Sequence, residues 1–267
     1  MRVIEGRNNL STLLQMYKVV ANSLEITTRG QTCREVRNLG LIFDGREPIC
    51  TNFEARDFNL KYAKKEWLWY LGADPKDHSI MEHAKLWKKL QQPDGTFYSN
   101  YGQYIFNGQL QYVVKTLSED SSSRRASIVL LKQEHLFAEN SDVVCTYGIN
   151  FHITNDILSM TVMMRSNDVI WGFTNDAFCF SQLLIFVHRL LLKTYPNLKI
   201  GTYTHFTNSM HVYDRHYDMI KKIIFEAEAG YRRVKVPDPT REEVLALINS
   251  KGKEGEGEYV SWLQADN

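Results

Sequence analysis

The chain has 267 residues, 43% of them apolar and 12% aromatic, enough to bury a substantial core as one folded unit. Its 32 Lys and Arg nearly cancel its 31 Asp and Glu. No overall field therefore holds nucleic acid or an anionic membrane, and any anionic ligand must be met by particular arginines.

The opening segment, MRVIEGRNNL, lacks the apolar run of a signal peptide. Leu10, Leu13, Leu14, Tyr17, Val20 and Ala21 then recur at helical spacing, which predicts an amphipathic first helix ahead of a loop at Arg29 and Gly30. A strand follows, ending near Phe43. A second helix, at about 60–70, carries Trp67, Trp69 and Tyr70, and a third spans about 80–90 before the turn Pro93, Asp94, Gly95. After a helix at about 110–117 and a polar loop at 119–125, the pattern changes to short β-branched runs: ASIVLL, VVCTYGINFHI, ILSMTVMM and IGTYTHFTNSMHVY. An apolar helix at 176–192 separates the last two. It is interrupted by Ser181, Gln182, His188 and Arg189, so it does not read as a membrane span. The end is more polar, with a helix at 240–248 and the flexible stretch SKGKEGEGE; residues from about 236 to 267 are expected to form a peripheral tail. The whole reads as an α/β (α+β) chain in a single domain over 1–267, a mixed sheet flanked by helices. It is expected in the cytoplasm, with no membrane partner and no direct binding to nucleic acid.

Cys33, Cys50, Cys145 and Cys179 lack metal-ligand spacing, so neither a metal centre nor a disulfide framework is expected. A lone cysteine on an apolar strand, as Cys145 is read here, is ordinarily an inert buried hydrophobe. Its company argues otherwise. Upstream lie Ser123, Arg124 and Arg125; downstream come Arg165, Ser166, Asn167 and Asp168, then Gly172 to Asp176, then His211 and Tyr213. Guanidinium groups bind phosphate oxygens in pairs and never lose their charge, so three arginines suit a phosphate dianion.

In order and spacing this constellation resembles the thymidylate synthase family: SRR, a strand cysteine, RSxD with a glycine turn into an apolar helix, then HxY. The resemblance is nearer to that family's deoxycytidylate hydroxymethylase branch from T-even phages, through SNYG (99–102), MRSNDV (164–169), GFxND (172–176) and HVYxRH (211–216). It implies a thymidylate synthase-like fold and a homodimer formed through the sheet face. Cys145 would add to carbon 6 of a pyrimidine, with Glu66 relaying protons and Tyr101 beside it. Arg29, Arg165 and Ser166 would hold the nucleotide phosphate, with Arg124 and Arg125 reaching in from the second subunit. Asn167 belongs to the same substrate-binding run, and His211 and Tyr213 would bind the sugar. The co-substrate would be 5,10-methylenetetrahydrofolate, against Trp87, Asp168, Trp171 and Gly172.

Where synthases carry Gly-Leu-Pro-Phe-Asn, this chain has Gly172, Phe173, Thr174, Asn175 and Asp176. An amide suits uracil, whereas a carboxyl sharing a proton suits the amino group and bare ring nitrogen of cytosine. The plain alternative is that Asp176 caps the helix that follows. Thr146 follows the nucleophile where synthases have His, and Met164 precedes Arg165 where they have Gln. Both departures agree with hydration of the transferred carbon, giving a 5-hydroxymethyl product. The alternatives are a methylating enzyme, a hydroxymethylase for uracil nucleotides, and an inactive nucleotide-binding member of the family.

Overall fold

The computed structural model describes residues 1–28, 30–50, 53–136, 142–230 and 234–265. In chain order its elements are β1 (Arg2–Glu5), α1 (Asn9–Ala21), β2 (Glu25–Thr28), β3 (Gln31–Asp44), α2 (Leu60–Gly72), the one-turn helices α3 (Ile80–His83) and α4 (Trp87–Leu90), and α5 (Gly102–Tyr104). A π turn at Ile105–Gln109 joins α5 to α6 (Leu110–Glu119). Then follow β4 (Ser127–Val129), β5 (Thr146–Thr154), β6 (Ile157–Met164), β7 (Asn167–Asp168), α7 (Gly172–Leu191), β8 (Lys199–Tyr213), α8 (Tyr217–Ala229), α9 (Arg241–Asn249) and α10 (Glu258–Gln264).

The strands form one eight-stranded mixed sheet in the order β1-β3-β8-β6-β5-β4, with β2 on β3 and β7 on β8. β8 is central, antiparallel to β3 and parallel to β6. Period-two alternation divides the faces. Along β6, Leu158, Met160, Val162 and Met164 are buried under helices, while Ile157 and Met163 lie 39% and 38% exposed on the other face. α7 is buried nearly all round, as expected of a helix lying between a sheet and the outer helices α2, α6 and α9.

The long third helix expected at 80–90 is instead two single turns, because Ala84 is extended (φ −145°, ψ 119°). The chain there lines a cavity and cannot bury a continuous helical face. α7 begins at Gly172, a full turn before the expected 176, because the Asp168 carboxylate accepts from the backbone N–H of Ile170 (2.7 Å) and Trp171 (3.0 Å) just outside the helix. Asp176 therefore stands inside the helix and is not its cap.

The C-terminal segment packs as a layer through α9 and α10. Val244, Leu247, Tyr259, Val260 and Leu263 are buried. Glu243 closes a capping box with Thr240 and also accepts from the N–H of Tyr259 (2.9 Å), tying α10 to α9. Lys64 of α2 donates to the carbonyls of Trp262 and Ala265, both at 2.8 Å, satisfying acceptors at the end of α10. No helix among the described residues is long and apolar enough to cross a membrane.

Candidate active site

A cavity of about 970 Å³ opens between α2, the 83–87 segment, the start of β5, the 165–176 segment and the end of β8. It exceeds what a single nucleotide fills and suits two ligands side by side.

Cys145 lies one residue before β5, not within a strand, and is half-buried on the cavity wall. A register shift between Thr146 and Gly148 bulges β5 next to it. Such a bulge turns the chain out of the ladder and re-aims the neighbouring side chain. Gly148 permits the close approach of β4 there, since a Cβ would sit 2.5 Å from the Ile128 carbonyl oxygen. Arg165 follows the last residue of β6. Its guanidinium donates to the carbonyls of Val144 (3.0 Å) and Val143 (2.5 Å) and reaches the Cys145 sulfur at 3.4 Å. A fixed cation donating to sulfur is the setting in which a cysteine reacts as thiolate.

Across the cavity, Tyr62, Glu66 and Tyr70 recur every fourth residue on one face of α2. Trp87 Nε1 donates to the Tyr62 hydroxyl (3.0 Å), which donates to Glu66 Oε1 (3.0 Å). Glu66 is 6% exposed. Burial first, then the Asp176 carboxylate, push its pKa up to about 8 against the Tyr62 hydroxyl. Tyr101 stacks between Tyr70 (5.5 Å) and Phe180 (6.0 Å). Its loop is pinned by the Ser99 N–H and hydroxyl, which donate to Asp142, three residues before Cys145.

Asp176 lines the same cavity from the second turn of α7, and burial pushes its pKa up to about 7 against a hydrogen bond from Asn167 Nδ2 (3.1 Å). His211 and Tyr213, two apart on β8, face inward together. Two carboxyl groups that hold protons near neutrality, a cysteine beside a guanidinium and further polar donors thus share one water-poor space. This equipment suits nucleophilic addition followed by proton transfer.

The family model for thymidylate synthase matches residues 13–248. The chain belongs to the thymidylate synthase family. It is 27% identical over 231 residues to the deoxycytidylate 5-hydroxymethyltransferase of Enterobacteria phage T6, a match covering 82% of this chain and 89% of that protein. The deoxyuridylate hydroxymethyltransferase of Bacillus phage SP01 is 25% identical over 222 residues, 76% of this chain and 55% of the relative. A putative thymidylate synthase of Methanocaldococcus jannaschii is 34% identical over 204 residues, 68% and 87% respectively.

The thymidylate synthase motifs converge on the cavity. Glu66, Trp87, Tyr101, Cys145, Arg165, Ser166, Asn167, Asp168, Trp171, Gly172, Asp176, His211 and Tyr213 all line it. Arg124 and Arg125 do not: they are exposed in the loop before β4. Arg29 lies outside the described residues. Gly172 meets a need within the chain, since a Cβ there would come 2.9 Å from Asn167 Oδ1.

Other cavity residues carry no motif. Arg56 is 4% exposed, donates to the Ile170 carbonyl (2.6 Å) and the Thr174 hydroxyl (3.0 Å), and lies 4.2 Å from the centre of the Trp171 ring. The Trp171 indole also donates to His216 Nε2 (3.1 Å). Tyr62 was legible as the i−4 partner of Glu66; Arg56 had no such signal.

Proposed function

We propose that this chain is a folate-dependent pyrimidine-nucleotide 5-hydroxymethyltransferase acting on cytidine or deoxycytidine monophosphate, with deoxycytidylate favoured by its likeness to the phage T6 enzyme. The observation that carries the reading is Asp176: a carboxyl group, desolvated so that it holds a proton near neutrality, on the cavity wall that also carries Cys145 and Glu66. Half-protonated, it accepts from an exocyclic amino group and donates to a bare ring nitrogen, which is the pattern of cytosine.

In this reading Cys145 adds to carbon 6, with Arg165 favouring the thiolate, and carbon 5 becomes nucleophilic. 5,10-Methylenetetrahydrofolate, held by Trp87, Asp168, Trp171 and Gly172, supplies the one-carbon unit. Glu66, neutral below about pH 8, delivers and recovers protons through Tyr62 and Tyr101. Loss of the carbon-5 proton and departure of tetrahydrofolate would leave an electrophilic carbon-5 methylene; water adds there and the Cys145–carbon 6 bond breaks, leaving a hydroxymethyl group and a free thiolate. His211 and Tyr213 hold the sugar, and Arg165 and Ser166, with Arg29, hold the phosphate.

A homodimer through the uncovered sheet face completes the site with Arg124 and Arg125 of the second subunit. The exposed Met163 and Ile157 and the position of the arginines outside their own cavity support this arrangement. The competing reading is methylation, favoured by the 34% identity to the archaeal putative synthase. Base selection is tested by Asp176→Asn: preference should pass from a cytosine to a uracil nucleotide in kcat/KM. Unchanged selectivity would remove the basis for the cytosine assignment.

A further inference from the structure

Beside Asp176, a polar chain runs from the cavity wall at Asn167 into the buried interior at His205 and Tyr203. The Asn167 amide nitrogen is ringed by acceptors: Asp176 Oδ2 at 3.1 Å, His205 Nε2 at 3.3 Å and the sulfur of Met164. With the nitrogen on this side, the Met164 sulfur and a charged Asp176 oxygen each have a donor, which a flipped amide would not give them. The cost of this orientation is visible, because Asn167 Oδ1 is buried with no hydrogen-bond partner among the described residues. His205 is 0% exposed, and burial pushes its pKa down to about 3. The ring is therefore neutral, and in the tautomer whose Nδ1–H donates to the Tyr203 hydroxyl (2.8 Å) its Nε2 accepts from Asn167.

This arrangement constrains Asp176. An oxygen that accepts from an amide N–H favours the unprotonated role, since the hydroxyl oxygen of a carboxylic acid is a poor acceptor. Cytosine and uracil call for opposite proton positions on the same carboxyl group. Cytosine needs the oxygen facing its exocyclic amino group to accept and the other oxygen to donate to the ring nitrogen; uracil needs the reverse.

We infer that Asn167, held by His205, is a specificity-determining positioning residue. By donating to Asp176 Oδ2 it confines the shared proton to Oδ1; with Oδ2 set against the exocyclic amino group and Oδ1 against the ring nitrogen, that register fits cytosine and rejects uracil. The inference rests on the cytosine reading above and deepens it. The presence of a carboxyl group is then only half of the selection; the other half is the donor that decides which of its oxygens carries the proton. Asp176 also faces other titratable groups: Glu66 and Tyr70 of α2, Tyr101, and Cys179 of α7, none of which bonds Asn167 or His205, and Tyr203 of β8, which loses its His205 partner in His205→Phe.

The test compares kcat/KM for deoxycytidylate and deoxyuridylate, each over a pH series, in the full-length wild type and in Asn167→Ala, His205→Phe and His205→Gln. Asn167→Ala and His205→Phe should each cut the cytosine-to-uracil ratio by about tenfold, the order of one lost hydrogen bond. In Asn167→Ala the limb of the pH profile belonging to Asp176 should move upward, because the donor favouring its charged form is gone. His205→Gln keeps an acceptor for Asn167 and should retain the ratio. His205→Phe keeps Asn167 and Asp176 themselves and decides the matter if Asn167→Ala fails to fold, with Tyr203→Phe as the control for the lost Tyr203 bond. A wild type that prefers cytosine, with a ratio unmoved in the folded variants, overturns this inference alone. A wild type without cytosine preference overturns it together with the reading it rests on.

Discussion

Glu66 and Asp176 hold their protons for the same physical reason and at different pH. Burial desolvates both; Glu66 also feels Asp176 and rises further, to about 8 against about 7. This has a consequence for the unliganded protein. From about pH 4.5, the ordinary glutamate value, to about pH 8, the folded chain carries a proton on Glu66 that the unfolded chain has released. The contribution is thus fully present below 4.5 and is lost as pH rises through 8. Over that window one such proton steepens the fall in stability by about 1.4 kcal/mol per pH unit. Glu66→Gln should remove that part of the slope, as read from urea midpoints over a pH series; an unaltered slope would mean that Glu66 ionises normally. The chemistry at Cys145 was legible from its motif company, but its aim was not. The bulge at residues 146–148 leaves no mark in a run of alternating residues. His205 was equally hidden, since a histidine inside a strand pattern reads as one more β position.

Among the elements, α7 and α10 are held by carboxylates that act on backbone from outside the helix. Asp168 anchors the start of α7, which explains why a helix start read at Asp176 was misplaced: an Asp before an apolar run has the right chemistry, but the group that acts at the helix start lies about two turns earlier in the chain. Glu243 serves two helices at once, closing the capping box of α9 and taking the Tyr259 N–H at the start of α10. Glu243→Ala should cost about 2–4 kcal/mol, the sum of a lost cap and a buried N–H left unpaired. Glu243→Gln, which keeps an acceptor of the same shape, should cost about 1 kcal/mol or less. Chemical denaturation of both variants checks this, and equal losses would show that packing alone holds α10. Local composition did not announce this layer, because the polar stretch SKGKEGEGE is only a connection between two helices whose apolar faces are short.

For the whole molecule, a mixed sheet flanked by helices was readable from the strand pattern, whereas the strand order, with β8 between β3 and β6, depends on pairings distant in sequence and was not. In the proposed reading the phosphate site is shared between two chains, since Arg124 and Arg125 are exposed and do not line their own chain's cavity. If a homodimer supplies them across the interface, each subunit's Cys145 depends on its partner's arginines. Mixing inactive Cys145→Ser with inactive Arg124→Ala/Arg125→Ala subunits, after unfolding and refolding together, should restore about a quarter of wild-type activity, since half the dimers regain one sound site. No recovery would place the arginines' action within their own subunit.

The reaction itself is tested most directly by supplying deoxycytidylate and 5,10-methylenetetrahydrofolate in ¹⁸O-labelled water and identifying both products by mass spectrometry. The expected result is 5-hydroxymethyldeoxycytidylate carrying one labelled oxygen, formed with tetrahydrofolate and abolished by Cys145→Ser. A 5-methyl product formed with stoichiometric dihydrofolate, or turnover confined to deoxyuridylate, would contradict the assignment.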